Sequence, residues 1–317
     1  MSDQNNWERG VLEKLAMSAI QEQRRARHWS IFFKVLTFGY LFIVLFLFMG
    51  WIGGKSDGAL STGKHTALIE LNGVISADSN ANADNIIGSL QEAFKDKGTQ
   101  GVILRINSPG GSPVQSGYIN DEIRRLRVQH PNIPLYVVVE DMCASGGYYI
   151  AAAADKIYVN KASIVGSIGV LMDGFGFTGA MEKLGVERRL MTAGENKGFM
   201  DPFSPRNPKH EEFTKNMLAE IHQQFIDVVK QGRGKRLKET PETFSGLFWS
   251  GEQSIKMGLA DEIGSVDSVA RDVIKAEDIV DFTTHEGIAD RLAKKFGAGV
   301  ASAFPGFGAQ VTGVTLR

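Results

Sequence analysis

Two glycine-rich turns carry the residue types that could do chemistry. One reads NSPGGS (107–112), the other reads CASGGYY (143–149), and each follows a strand-like run. Glycines allow positive φ angles, so backbone N–H groups can point into a cleft and form an oxyanion hole, or simply close a tight connection. Ser145 lies at a strand-to-helix junction, where a nucleophile is exposed and the partial positive charge of the helix N-terminus favours a developing oxyanion. An ordinary serine N-cap has the same pattern. Cys143 is a second possible nucleophile, but its type suits a small buried residue beneath the turn.

A serine nucleophile needs a base to take its proton. The chain has six histidines, and none lies in a glycine-rich sequence. The sequence therefore does not exclude a Ser-His-Asp triad, but no feature of it supports one. Solvated helices, loops or termini are expected for five of them: His65, His130, His210, His222 and His285. A lysine kept neutral by burial is the other option. Residue types alone do not single one out among 35 lysines and arginines.

The segments around these turns alternate between strands and helices. Runs rich in β-branched residues predict strands at 67–75, 102–106, 135–140 and 156–159. Helices are predicted around 86–94, 114–126, 150–154 and 209–231. Such alternation is typical of βαβ units, which form a parallel sheet with right-handed crossovers. Both glycine-rich turns therefore connect a strand to a helix.

An apolar run precedes this pattern. The segment 35–54 holds 20 residues without a charge, and as a helix it would be about 30 Å long, the thickness of a bilayer's hydrocarbon core. Three more apolar residues extend the predicted transmembrane helix to 31–54. A cleavable signal peptide would have a shorter run and a small-residue cleavage site, which this sequence lacks. Positive charges are denser before the run, which predicts a cytoplasmic N-terminus: Arg24, Arg25, Arg27 and Lys34 precede it, and Lys55 and Lys64 follow.

Composition limits the rest of the chain. The net charge is −1 over 317 residues, which gives no sign of a nucleic-acid surface. One cysteine excludes an intrachain disulfide and any multi-cysteine metal site, and no pattern calls for a metal or another cofactor. We expect five segments: a cytoplasmic segment at 1–30, the span at 31–54, a linker at 55–65, a catalytic domain at 66–285, and a poorly ordered tail at 286–317.

Six motifs occur in an order that identifies a family. They are LRINSPGG (104–111), ASGGYYIAAAADKI (144–157), VGSIGVL (165–171), TAGENKGFMDPFSP (192–205), QGRGKR (231–236) and WSGEQSIKMGLADEIG (249–264). Together they resemble the signal peptide peptidase A family of membrane-anchored serine proteases, in its short single-domain form, over about 65–275.

The resemblance implies a fold and a set of site residues. The fold would be α/β, similar to the Clp protease and crotonase superfamily with its ββα units, preceded by one transmembrane helix. Ser145 matches the family nucleophile and Lys197 the general base of a Ser-Lys dyad. Gly111 and Gly146 match the backbone donors of the oxyanion hole, and Ser167 matches a serine that orients the lysine. We also expect an occluded, apolar neighbourhood for Lys197, supplied by Phe199, Met200 and Phe203.

The resemblance also implies a biological role. It predicts an endopeptidase that hydrolyses apolar peptides, chiefly cleaved signal-peptide remnants, in a homo-oligomeric ring whose active sites are shared between subunits. The location would be the bacterial inner membrane, with the catalytic domain outside the cytoplasm and no cofactor. The alternatives are a quality-control protease of the same family and a catalytically inactive scaffold. An acyl-CoA hydratase shares the fold, but the membrane segment and the dyad motifs argue against it.

Overall fold

The computed structural model describes residues 17, 22–25, 27–45 and 63–284. The described residues divide between two units: residues 63–284 belong to one, and the N-terminal helix belongs to the other. Residues 46–54 of the predicted span, most of the linker and the predicted tail at 286–317 lie outside the described residues. The bounds of the five predicted segments therefore stay predictions.

The N-terminal unit contains helix α1 (Glu22–Leu45), which has 24 residues and a mean hydropathy of 1.6 in its most apolar window. That window has no buried residues within its own unit. Its length and composition make α1 a candidate membrane span. The described part of this helix extends before the predicted start at 31 and includes Arg24, Arg25 and Arg27.

The second unit is built on one mixed sheet. Eight strands are described there: β1 (His65–Asn72), β2 (Thr99–Ser108), β3 (Leu135–Ala144), β4 (Lys156–Val159), β5 (Ile164–Gly166), β6 (Phe248–Ser250), β7 (Glu262–Ile263) and β8 (Ile279–Asp281). The order is β6-β5-β3-β2-β1-β8, and β4 joins β3 to β7. All pairs are parallel except β5 with β6. The predicted α/β fold with a parallel sheet is confirmed.

Seven helices of this unit connect and cover the strands: α2 (Ala83–Lys95), α3 (Pro113–Gln129), α4 (Gly146–Ala151), α5 (Thr178–Leu184), α6 (Pro208–Arg233), α7 (Gly251–Lys256) and α8 (Val266–Ser268), the last continuing as a π-helical turn to Ile274. Local signals explain where the long helices begin. Ser112 and Asn207 accept hydrogen bonds from the first turns of α3 and α6, and each precedes a proline that is compatible with a helix start.

The sheet lies between two apolar layers. Successive residues of a strand point to opposite faces, so Ile69 and Leu71 join the larger core while Leu68 joins the smaller one. The larger core packs against α2, α3, α4 and α6. The smaller core includes Ile103 and Val269. Burial on both faces explains why the strands read as nearly continuous apolar runs.

Several predicted boundaries are wrong, and three of these errors lie at turns that form the site. Strand β1 ends at Asn72 instead of 75, because Gly73 adopts a φ of +85° and turns the chain. Strand β3 runs to Ala144 instead of 140. Helix α4 begins at Gly146 instead of 150, so it starts directly after Ser145.

A buried ion pair joins α6 to the sheet. Arg233 is 1% exposed and donates two hydrogen bonds to the Asp261 carboxylate, at 2.8 and 2.9 Å, and one to the Gly258 carbonyl at 2.8 Å. Asp261 also accepts the backbone N–H of Ile157 at 2.7 Å. Burial alone would raise the pKa of Asp261, but the hydrogen bonds and charge of Arg233 outweigh it, and the net pKa is lowered.

We predict that Asp261→Asn lowers the free energy of unfolding by about 3–5 kcal/mol at pH 7, because it leaves Arg233 buried without its counter-charge. Since the folded pKa is lowered, the pair stabilises the fold above the ordinary carboxyl pKa of about 4 and stops doing so as the pH falls through the folded value. Denaturant unfolding of the full chain at several pH values measures both effects. Glu252→Gln, in the exposed pair with Lys256, is the control and should change stability by about 0.5 kcal/mol or less. Equal stabilities for the two variants would contradict the prediction.

Candidate active site

Four of the five predicted site residues line one cleft. Gly111, Ser145, Gly146 and Ser167 border a volume of about 960 Å³ between the two glycine-rich turns, α3 and α6. The fifth predicted residue, Lys197, is absent from this lining. The cleft lies entirely within the Gly58–His285 unit.

Ser145 has a backbone conformation that side chains rarely adopt. Its φ is 51° and its ψ is −121°, and a positive φ at a non-glycine residue is held in place only by its surroundings. The Ser145 N–H donates to the Gly166 carbonyl at 2.8 Å, and its carbonyl accepts from Tyr149 at 2.9 Å. Although Ser145 occupies the N-cap position of α4, its side chain makes no capping hydrogen bond. The capping alternative therefore does not describe this serine, and its hydroxyl is not used to cap the helix.

The two glycine-rich turns touch through their backbones. Gly110 has a φ of +99°, and a Cβ there would lie 2.6 Å from Gly146 N and 2.7 Å from Ser145 Cβ. Gly111 has a φ of +151°, and a Cβ there would lie 2.1 Å from the Ile75 carbonyl oxygen. Only glycine permits this close approach.

The contact brings two backbone amides together next to Ser145. Gly111 N is 3.2 Å from the position that a Cβ on Gly146 would occupy. Gly146 is the first residue of α4, so its N–H has no acceptor within the helix. Neither amide donates to another backbone group in the described part of the chain. Two adjacent N–H groups beside a serine are suited to stabilise an oxyanion.

Residues that the sequence analysis missed hold the first turn in place. The Ser108 hydroxyl donates to the Gly73 carbonyl at 2.7 Å and accepts the Gly110 N–H at 3.1 Å. Ile75 pairs with Gly111 in an isolated parallel bridge, where its N–H donates to Gly110 and its carbonyl accepts from Ser112. These contacts join segments more than 30 residues apart, and only Ser108 had a sequence signal, through its place in SPGG.

Ser167 lies beside Ser145 because of strand register. Ala144 on β3 pairs with Gly166 on β5, so the two serines follow paired residues on neighbouring strands. Ser167 also has a positive φ of 51°, and its N–H donates to the Leu247 carbonyl at 2.7 Å. The structure therefore brings both serines to the same cleft.

Lys197 is exposed in the single chain. It lies in a turn where its N–H donates to the Gly194 carbonyl at 3.1 Å. Phe199 packs on His210 with ring centroids 4.8 Å apart, but Met200 and Phe203 are substantially exposed. One copy of the chain does not supply the occluded neighbourhood expected for this lysine.

The segment that carries Lys197, residues 170–206, is here called the lysine arm. It exposes an unusual set of large apolar side chains: Leu171, Phe175, Leu184 and Met191, the last 93% exposed. Helix α5, which is part of the arm, has no buried residue. Phe177 nevertheless fixes the arm internally, since its ring stacks on Phe203 at 5.3 Å and its N–H donates to Pro202 at 2.7 Å. A folded segment with so much exposed apolar surface indicates an interaction surface.

The other candidate side chains take no part in the cleft. None of the histidines that the structure describes lines the cleft. His222 Nε2 forms a hydrogen bond with the Ile168 carbonyl at 3.1 Å. The expectation of a solvated position is wrong for His65, which is buried at the start of β1 beside Thr99. Cys143 is fully buried, and burial raises the pKa of its thiol, as expected for a packing residue.

Comparison with known proteins also indicates a peptidase. Residues 127–279 match Peptidase family S49. The chain is 48% identical over 184 residues to a protein of Brucella abortus named Na(+)/H(+) antiporter NhaA, a stretch that covers 58% of this chain and 25% of that protein. It is 30% identical over 234 residues to a putative signal peptide peptidase SppA of Enterococcus faecium, covering 71% of this chain and 67% of that protein. It is 32% identical over 222 residues to the putative protease MJ0651 of Methanocaldococcus jannaschii, covering 70% of each.

The fraction of each relative that the match covers decides what can be concluded from it. This chain spans only a quarter of the Brucella protein, so that protein's name says nothing about the matched stretch by itself. The Enterococcus and Methanocaldococcus proteins are matched over two thirds or more of their lengths at 30% identity or above. The resemblance predicted from the six motifs is thereby confirmed, and the chain belongs to peptidase family S49, the family of SppA.

Proposed function

We propose that this protein is a membrane-anchored serine endopeptidase with Ser145 as its nucleophile and Lys197 as its general base. One observation carries the proposal: the Ser145 hydroxyl does not cap α4, and the serine lies beside the adjacent amides of Gly111 and Gly146. Membership of a peptidase family supports it.

The proposed reaction begins when Ser145 Oγ attacks the peptide carbonyl carbon and its proton passes to the neutral amine of Lys197. The carbonyl oxygen becomes an oxyanion that accepts hydrogen bonds from Gly111 and Gly146, each worth about 3–4 kcal/mol in comparable sites. The C–N bond then breaks, and Lys197 returns the proton to the leaving amine. Water, deprotonated by Lys197, hydrolyses the acyl-enzyme and regenerates Ser145.

Lys197 reaches a cleft only in an assembly under this proposal. It is exposed, it does not line the cleft of its own chain, and it lies on the apolar lysine arm. In a homo-oligomeric ring, the arm of one subunit would dock on the next and place Lys197 near that subunit's Ser145 and Ser167. Docking would remove water from the amine, which favours its neutral form, and Ser167 would orient it by a hydrogen bond. A free monomer would be inactive.

The proposed substrates are apolar peptides, chiefly the remnants of cleaved signal peptides. The walls of the cleft support this, because Val170, Leu171, Ile221 and Phe225 present apolar surface to a bound chain. A relative named as a putative signal peptide peptidase supports it too. Residues 31–45 of helix α1 are the described part of the anchor proposed at 31–54, which would hold the enzyme next to such remnants in the bacterial inner membrane.

The dyad predicts the behaviour of two variants. Ser145→Ala and Lys197→Ala should each lose at least about 1,000-fold in kcat/KM on a fluorogenic apolar peptide, because each removes a group that acts in the transition state. Lys97→Ala, at an exposed lysine outside the cleft, is the matched control and should match wild type. An active Lys197→Ala protein of unchanged assembly would exclude Lys197 as the base.

Shared active sites predict complementation between the two inactive variants. Co-assembled equal amounts of Ser145→Ala and Lys197→Ala subunits should recover about a quarter of the wild-type activity, since a head-to-tail ring joins an intact Ser145 to an intact neighbouring Lys197 at one site in four. Peptidase assays on rings isolated by size-exclusion chromatography measure this. No recovery in correctly sized mixed rings would show that each site is formed within one subunit.

The positive-inside bias predicts the topology. In spheroplasts of an expressing bacterium, added proteinase K should digest the folded unit at 63–284, whereas an epitope tag at the N-terminus should stay protected until the membrane is broken. Immunoblotting of both regions measures the result, and a cytoplasmic protein is the control for membrane integrity. Protection of the folded unit in sealed spheroplasts would reverse the proposed orientation.

A further inference from the structure

One face of α3 forms a wall of the cleft. Val114, Gly117, Tyr118 and Asp121 follow the i, i+3, i+4, i+7 spacing of a single helix face, and all four line the cleft. The first of these residues is near the Gly111 turn. The last is about 10 Å further along the helix axis, since each residue adds about 1.5 Å. The wall therefore runs from the oxyanion site to Asp121.

Apolar surface leads along the cleft toward this carboxylate. Tyr149 and Phe225 also line the cleft, with ring centroids 5.1 Å apart. Gln224 adds a neutral polar group, and Asp121 is the single charged side chain in the described lining. The cleft is thus apolar along most of its length and negative at one place.

The carboxylate of Asp121 is exposed and makes no ion pair within the described residues. Its neighbour Arg124 donates from Nε to Asn120 Oδ1 at 2.7 Å and from Nη2 to the Val228 carbonyl at 3.4 Å. The next two arginines of α3, Arg125 and Arg127, pair with Glu122 and Asp155. Arg124 is close enough to Asp121 to interact with its charge, but no cation of α3 forms an ion pair with the Asp121 carboxylate within the described residues.

From this arrangement we infer that Asp121 selects peptides with a lysine or arginine close to the scissile bond. The apolar stem of such a side chain can pack on Tyr118 and Phe225 while its charged head reaches Asp121. The inference rests on the proposed peptidase function and narrows its substrate class to apolar peptides with a nearby cation.

Peptide series test the inference on the full-length protein in detergent. Fluorogenic apolar peptides carry lysine, methionine or glutamate at one of the four positions before the scissile bond; methionine has a long side chain without the charge. At one position, wild type should prefer lysine over methionine by about five-fold in kcat/KM, as expected for a partly exposed ion pair. Asp121→Asn should bring that ratio to about one, and Asp121→Lys should make glutamate the preferred residue. Glu92→Gln, at an exposed acid on α2, should keep the wild-type ratio.

A binding measurement separates this inference from the proposed catalysis. Fluorescence anisotropy of the same labelled peptides on Ser145→Ala protein should show the same preference for lysine, and Ser145→Ala with Asp121→Asn should lose it. That result supports the charged subsite even if wild type cleaves none of the peptides. A wild-type enzyme that cleaves the methionine peptides but shows no lysine preference at any position would overturn the inference and leave the peptidase proposal standing. A lysine preference that survives Asp121→Asn would overturn it as well.

Discussion

The candidate site depends on one close contact between two backbones. Gly110 packs so tightly against the junction of β3 and α4 that a Cβ would lie 2.6 Å from Gly146 N. Because the chains touch there, the amides of Gly111 and Gly146 lie side by side and Ser145 is held at a positive φ. The Gly166 carbonyl, which accepts the Ser145 N–H, secures the same junction from the neighbouring strand. Chemistry at this site would therefore be a consequence of backbone packing as much as of side-chain identity.

The scaffold supplies that contact through parallel strands. β2 and β3 are neighbours and parallel, so the turns that follow them emerge at the same edge of the sheet, where open α/β folds place their ligands. The two apolar layers hold the strands, and the Arg233–Asp261 pair fixes the end of α6 against the segment between α7 and β7. Helix α6 also forms one wall of the cleft, so this distant ion pair helps to position the site.

The candidate site residues fall into two groups, those that line the cleft of a single chain and those that are exposed to solvent. The cleft of a single chain is lined by Gly111, Gly146, Ser145 and Ser167. In contrast, Lys197 and several large apolar side chains of the lysine arm are exposed. Under the proposed function, association would cover the apolar surface and complete the base in one step. Proteolysis would then be confined to the assembled enzyme, and the charge of Asp121 would further limit which peptides it accepts.

Sequence alone determined the family, through the resemblance carried by six motifs in order. It also determined the parallel α/β fold and the residues of the glycine-rich turns, because glycine pairs after strands and helical spacing are local signals. It did not determine where β1 ends or where α4 begins, since those boundaries depend on Gly73 and on the conformation that packing imposes on Ser145. Nor did it show that Ile75 braces Gly111, or that the Asp121 face of α3 lines the cleft. The sequence also provided no indication that Lys197 is exposed in a single chain. Each of these is a contact between segments far apart in the chain, and only tertiary packing decides such contacts.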